Sequence, residues 1–402
     1  ACLVGSEMCI RDSMYDGKIT NNSCGSSGGG VYVDRGTFNM SGGEISSNTS
    51  GEYGGGIELY KKSDFTMTGG SISQNKAENG YYGGGIDVSY GSTFTMNGGT
   101  ITGNTSCTGG GVYVGTAVEN YGNNTFNMNG GTITGNTATH TGSETGGGVY
   151  VAQDGIFTVS GAAKITDNKR NEENNNVYLR PETITITGAL DRDASIGVTT
   201  PSVAVVGSPV TIAKGDGYTL TDDDAARFTS DAGYYPELDG TEVKLYRNPP
   251  QKHPICGKTC THDEKHPDLV WEGITDLADA TKAGNYYLME SVTRPEKTGP
   301  LFCNNDVKLC LNDHSITAAH DSCTIMVNDG ADFTLTDCGQ KSGTITHGSG
   351  NKGPGVMVNS GGSFTMYGGT ICGNTAADSG SGVIVNNGSS FTMYCLLYTS
   401  PS

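Results

Sequence analysis

The sequence predicts an all-β chain built as parallel β-helices (β-solenoids): two tandem solenoid units with a β-rich cap between them. Three observations predict this. Glycine accounts for 63 of 402 residues, more than twice the roughly 7% of average proteins. Hydrophobic residues reach only 34%, against roughly 45–50% in a typical domain, so the core must be thin for the length. The chain also repeats itself, with apolar residues alternating in period 2 inside each repeat. No Gly-X-Y period runs through it, which excludes collagen. The 20 tyrosines and only 12 prolines argue against disorder.

Residues 1–12 (ACLVGSEMCIRD) share no pattern with the repeats, and neither do residues 395–402 (CLLYTSPS). Both resemble translated sequencing-adapter read-through and are set aside as foreign. Three of the 12 cysteines fall there, and the remaining odd number defines no disulfide framework.

The first solenoid is expected over residues 13–170. Gly-Gly-Gly followed by apolar-x-apolar begins at Gly28, Gly54, Gly83, Gly109 and Gly146. Each triplet is followed by Phe-x-Met (Phe38/Met40, Phe65/Met67, Phe94/Met96, Phe126/Met128) or, last, by Phe157/Val159. A Gly-Gly-x-Ile then brings Ile45, Ile72, Ile101 and Ile133, with Ile165 after a one-residue insertion. Asparagine closes these units at Asn48, Asn75, Asn104, Asn136 and Asn168. Each repeat therefore holds three short strands, with glycine at the corners. Strands recurring at this period indicate a parallel solenoid, each pairing with its equivalent one coil on, about 4.8 Å away. Like then stacks on like. Val31, Ile57, Ile86, Val112 and Val149 form one column, and the phenylalanines, methionines and isoleucines form three more. The closing asparagines are either an amide ladder or turn residues that tolerate a left-handed backbone.

From Asn171 the repeat decays. Residues 171–247 keep strand-like runs and are expected to cap the last coil's open edge. Asp222, Asp223 and Asp224 are either calcium ligands, since hard cations take several oxygens, or an acidic helix start. Residues 248–270 are expected to be a linker, opening on Asn248-Pro249-Pro250. It carries His253, Cys256, Cys260, His262 and His266, whose short spacings suit a structural zinc site. A Cys256–Cys260 disulfide is the alternative. The second solenoid is expected over residues 271–394. Its coils show as Phe333/Leu335 with Ile345, Val356/Val358, Phe364/Met366 with Ile371, Val383/Val385 and Phe391/Met393.

The GGG-apolar and FxMxGGxI elements resemble the right-handed parallel β-helix superfamily, the pectate-lyase-like fold, over residues 14–190 and 286–394. They are also similar to the repeats of adhesin-like surface proteins of gut Firmicutes, and resemble the GGA(I/V/L) and FxxN repeats of chlamydial polymorphic outer-membrane proteins. The resemblance implies right-handed winding, a secreted, cell-wall or cell-surface location, and an adhesive role. Enzymes of this fold carry their own signatures. Polygalacturonase-like hydrolases use Asn-Thr-Asp, Asp-Asp and Arg-Ile-Lys, and the regular coils contain none of these. Pectate lyases use an acidic calcium cluster with an arginine base, and Arg35 is the only arginine between residues 13 and 169. No His-Glu-x-x-His occurs either.

One stripe of residues carries candidate chemistry. The middle residue of each apolar-x-apolar run points outward when its neighbours point inward. Those residues are Tyr32, Glu58, Asp87, Tyr113 and Tyr150, expected as an exposed ladder at about 5 Å spacing. Tyrosine faces stack on sugar rings and carboxylates accept hydroxyl hydrogen bonds, so the strip suits a glycan or another cell-surface ligand. Glu58 and Asp87, one coil apart, also match the roughly 5–5.5 Å separation of a retaining glycosidase pair. That makes them the candidate catalytic residues of a lyase or glycosidase. A purely structural stalk would show the same residues as β-forming tyrosines and solvated acids. His314, His320 and His347 stand isolated and are expected to be structural.

The net charge of -18 disfavours nucleic acid and anionic membrane surfaces as partners. No apolar run reaches the roughly 18 residues of a spanning helix, so no membrane insertion is expected. The chain is expected to be a monomer.

Overall fold

The structure, a computed structural model, describes residues 11–394 apart from 80, 116–117, 143, 154, 181–182, 258–265, 340 and 377–379. It is a β-solenoid of about 13 turns with parallel strands stacked coil on coil. The chain divides into two compact units. One takes residues up to 203 together with 210–245, and the other takes 204–209 and the residues from 246 on.

In the first unit each coil repeats the same short strands in strict register. Thr37–Met40, Asp64–Met67, Thr93–Met96 and Thr125–Met128 pair in parallel, phenylalanine on phenylalanine and methionine on methionine. Consecutive rings from Phe38 to Phe157 stack at 4.7–5.1 Å between centroids, within the favourable range for aromatic pairs. The isoleucine column runs from Ile19 through Ile45, Ile72, Ile101, Ile133 and Ile165 to Ile196. The column that begins at Val31 continues through Ile57, Ile86, Val112 and Val149 to Val177. Nearly every member is fully buried. A small apolar fraction suffices because each inward side chain is covered above and below by its own kind.

Two features differ from expectation. Coils carry a fourth, two-residue strand just past the asparagine, such as Thr49–Ser50, Lys76–Ala77, Thr105–Ser106 and Thr137–Ala138. Two residues are too few to show a period-2 pattern, so only the stacking defines them. The strand Arg11–Met14 pairs with Thr37–Met40, so Arg11 and Asp12, set aside as foreign, extend the first sheet.

The asparagines form the amide ladder. From Asn22 through Asn48, Asn75, Asn104, Asn136 and Asn168, each Nδ2 donates to the next Oδ1 at 2.8–3.1 Å. That oxygen also accepts the preceding asparagine's backbone N–H. From Asn48 on, the second Nδ2 proton reaches an isoleucine carbonyl in the coil before. The ladder runs on through Asn176, which donates to both carboxylate oxygens of Asp231. Asn104→Ala would take away the acceptor shared by the Asn75 backbone N–H and one of its Nδ2 protons, and one donor to the Ile72 carbonyl, in the buried corner. The expected cost is about 3 kcal/mol in denaturant unfolding. The exposed Asn97→Ala is expected to stay within about 0.5 kcal/mol.

Past Asn171 the strands first continue the stack and then reverse direction. Ser195–Thr199 pairs in parallel with both Lys164–Thr166 and Val177–Leu179, joining the isoleucine face to the valine face and closing the coil. Val210–Gly215 ends the parallel run and pairs antiparallel with Glu242–Tyr246. The three aspartates begin a one-turn helix, Asp222–Ala225, through a capping box with Thr221. Asp224 accepts from Leu190 N, Thr221 N, Thr221 Oγ1 and Tyr218 Oη, which holds its pKa below the usual carboxylate value against the opposing effect of burial. The structural demand of the cap thus accounts for Asp224.

The second unit repeats the architecture with three strands per coil. Val307–Cys310, Asp332–Thr336, Ser363–Met366 and Ser390–Met393 stack as one face. The other two faces begin at Val292–Pro295 and Leu301–Cys303. The 248–270 segment expected as a linker belongs to this unit. Pro250–Pro254 and Asp268–Ile274 pair as antiparallel strands, and the second of them joins Gly284–Leu288 at the sheet's edge.

Candidate functional site

The outward ladder is real in its register. Tyr32 opposes Glu58, Glu58 opposes Asp87, Asp87 opposes Tyr113, and Tyr113 opposes Tyr150. One further rung, Tyr178, follows Tyr150. It was legible as the same apolar-Tyr-apolar triplet, Val177-Tyr178-Leu179. Stacking is tight at this end, with Tyr113–Tyr150 and Tyr150–Tyr178 at 5.4 and 5.6 Å and almost parallel rings.

The expectation of an exposed strip does not hold. Tyr32 is 37% exposed, but Glu58 is 3%, Asp87 0% and Tyr150 5% exposed. Tyrosines outside the repeat pattern cover the ladder. Tyr53 and Tyr82 stand just before the glycine triplets of their coils and form one wall, with Tyr82 stacked on Tyr113 at 4.4 Å. Tyr60, the last residue of Ile57–Tyr60, and Tyr90, two residues past Ile86–Val88, form the other wall, 4.6 Å apart and edge to face. These four residues were missed because they lie at the strand ends or beyond them, where loop length varies from coil to coil.

Between the walls lies a cavity of about 600 Å³, lined by Tyr32, Tyr53, Tyr60, Tyr82, Tyr90 and Tyr113, with Glu58 and Ser89 among its polar residues. Its origin is steric. Two consecutive rungs of an otherwise aromatic ladder are short acids, and the missing ring volume is the cavity.

The acids are held in an unusual state. Glu58 Oε2 and Asp87 Oδ2 are buried without hydrogen-bond partners. The Ser89 hydroxyl donates to Asp87 Oδ1. Burial, reinforced by the Asp87 charge, pushes the Glu58 carboxyl well above its ordinary value. Burial pushes Asp87 up to about 7, with the Ser89 hydrogen bond pulling the other way. Adjacent carboxyls in a place water scarcely reaches cannot both ionise cheaply, so near neutral pH the pair retains a proton. Of the two acids Glu58 lines the cavity, which therefore offers, beside the Ser89 hydroxyl, a carboxyl held toward its protonated form. Burial also raises Tyr113, and raises Tyr32 to about 12, so these rings stay neutral.

Of the predicted zinc ligands, His253, Cys256 and His266 fall among the described residues. His253 is buried against Trp271, with ring centroids 4.4 Å apart. Cys256 is half-buried, and its Sγ lies 3.9 Å from the Gly257 carbonyl oxygen. His266 meets Tyr367 edge to face. Cys260 and His262 lie outside the described residues. Among the described residues, the grouping of three ligand atoms within 4.8 Å of one another joins His253 to Cys310 and Cys338. Sequence proximity does not show this grouping, because the two cysteines come more than fifty residues after His253. His320 and His347 are not isolated but face each other at 6.3 Å. No protein-family model, curated protein or solved structure matches the chain.

Proposed function

We propose that this chain is an extracellular or cell-surface adhesin-like β-solenoid that binds glycan in the tyrosine-walled cavity of its first unit. The single observation that carries this reading is the cavity itself: aromatic walls around the Glu58 carboxyl and the Ser89 hydroxyl. A volume of about 600 Å³ falls inside the roughly 300–1,000 Å³ of small-ligand sites, which combine aromatic walls with a few placed polar groups. Sugar rings present C–H faces to aromatics and hydroxyls to carboxyls, so they match both surfaces. The stiff stack of coils would hold the cavity away from whatever anchors the protein.

The test is a glycan array followed by calorimetric titration of the best hit. Tyr82→Ala combined with Tyr113→Ala is expected to weaken binding at least tenfold, while Tyr367→Ala in the second unit leaves it unchanged. Array-wide silence of the unmodified chain would overturn the reading and return the protein to a plain stalk.

The acid pair supports a second reading, a glycosidase or lyase. Glu58 and Asp87 are one strand apart, about 4.8 Å by sheet geometry, close to the spacing of retaining pairs. Both rise from the same face of one sheet, however, whereas a retaining pair flanks the scissile bond. Binding is therefore favoured. Release of reducing ends or unsaturated product from a polysaccharide panel, lost in Glu58→Gln, would reverse that preference.

A further inference from the structure

The second unit holds a buried cluster that neither the repeat nor the cavity explains. Cys310 ends the strand Val307–Cys310, and Cys338 follows Asp332–Thr336 in the next coil. Their sulfurs, both thiols, lie 2.7 Å apart, closer than the roughly 3.8 Å of two thiolates on one tetrahedral zinc, so a bound ion would part them; the Cys338 backbone N–H points at Cys310 Sγ at 3.1 Å. His253 arrives from the edge strand Pro250–Pro254. The turn after it crosses the later coil, so that Gly257 packs against the backbone of Asp337 and Cys338. All three residues are at most 4% exposed.

The histidine ring is oriented for coordination. Its Nδ1 lies 2.9 Å from the Pro254 carbonyl oxygen, so this nitrogen carries the proton and donates it. Nε2 then presents a bare lone pair, and it is buried with no hydrogen-bond partner. Trp271 fixes the ring by stacking on it, and donates from Nε1 to the His253 carbonyl at 2.9 Å. A ring nitrogen tied to a backbone carbonyl, with the other nitrogen free, is the usual arrangement of a metal-bound imidazole. Asn312 Oδ1 stands 3.5 Å from Cys338 Sγ, while the Asn312 amide donates to the Leu288 carbonyl and so turns that oxygen toward the sulfur.

We propose that His253 Nε2, Cys310 Sγ and Cys338 Sγ form a structural zinc-type site, with Asn312 Oδ1 as the neighbouring oxygen for a fourth position. Two sulfurs and one imidazole are the donor set that borderline-soft, redox-inert Zn(II) takes in four-coordinate sites. Binding would release the two thiol protons to solvent. The ion would tie the edge hairpin to two successive coils and so fasten the open end of the second unit. This assignment differs from a knuckle built within the 253–266 run, because two of its ligands lie far downstream.

The test is Co(II) titration of the reduced full chain, read by the thiolate-to-cobalt charge-transfer band and the visible bands of a tetrahedral ion, followed by Zn(II) displacement. One equivalent is expected to saturate the signal. Binding is expected to weaken at least tenfold in His253→Ala and more in Cys310→Ser, and to be unchanged in Cys256→Ser. Should Cys310→Ser fail to fold, the unmodified chain still decides the matter. With Zn(II) bound, its thermal midpoint is expected to fall on chelation and to recover on re-addition. Absence of Co(II) bands in the reduced chain, undiminished Co(II) affinity in His253→Ala, or recovery of a Cys310–Cys338 disulfide from protein purified with zinc would each overturn the proposal.

Discussion

Gly84→Val is expected to leave no cooperatively folded first unit. Gly84 is the middle residue of a glycine triplet, where one coil passes closest to the next. A Cβ there would sit 2.5 Å from the Gly110 carbonyl oxygen and 2.6 Å from the Thr105 carbonyl carbon. Both obstacles are backbone, and both belong to the next coil, so neither can turn aside as a side chain would. The Gly84 amide also bonds the Gly109 carbonyl at 3.0 Å, as the Gly85 amide bonds that of Gly110. Wedging the coils apart would break this ladder together with the valine and phenylalanine registers beside it. A cost beyond about 4–5 kcal/mol is expected, seen as loss of the unfolding transition or of soluble protein. Gly122 is the control. Its φ of +90° asks for glycine, but nothing lies within 4 Å of its Cβ position. Gly122→Ala should therefore cost only the left-handed backbone strain, about 1–2 kcal/mol. Equal effects at the two sites would mean that coil spacing is not what the triplets secure.

These glycines also show why so much of the fold was legible. A solenoid turns sequence period directly into spatial contact. Phe65 meets Phe94 because both occupy the same place in consecutive repeats, and the asparagine ladder arises from the same identity. What was hidden lies outside the period. Tyr53, Tyr60, Tyr82 and Tyr90 sit at the strand ends or beyond them, and their meeting over the ladder depends on loop paths that no repeat alignment encodes. That covering reversed the expectation for Glu58 and Asp87, whose outward direction was right and whose exposure was not. A signal was nonetheless present, since two short acids between Tyr32 and Tyr113 leave a gap in an aromatic stack. The His253 grouping was hidden for a different reason. It needs an antiparallel hairpin folded over later coils, and hairpin edges break the rule that neighbours in the period are neighbours in space.

Asp87→Asn is expected to stabilise the protein at pH 8 by about 4 kcal/mol, with no gain near pH 4. Asp87 moves from an ordinary carboxyl value of 3.8 when unfolded to about 7 when folded, chiefly through burial. The folded state thus holds a proton that the unfolded chain releases above about pH 4. Stability is fully present below that point, falls as pH rises toward 7, and levels off once the folded group has ionised. A shift of this size at about 1.4 kcal/mol per unit gives the expected magnitude. Asparagine copies the protonated acid's shape and keeps an oxygen for the Ser89 hydroxyl, so it removes the ionisation cost without opening a hole. Because the Asp87 charge also raises Glu58, Asp87→Asn should ease ionisation at Glu58, and adding Glu58→Gln should give less than the sum of the single effects. The measurement is urea unfolding at pH 4 and pH 8 for the unmodified chain and each variant. A pH-independent difference would show that the two carboxyls are solvated and the cavity floor is wet. A variant that gains stability at pH 8 yet loses glycan affinity would mean that the acid pair is kept under strain for the ligand's sake, the usual sign that a buried charge serves a site and not the fold.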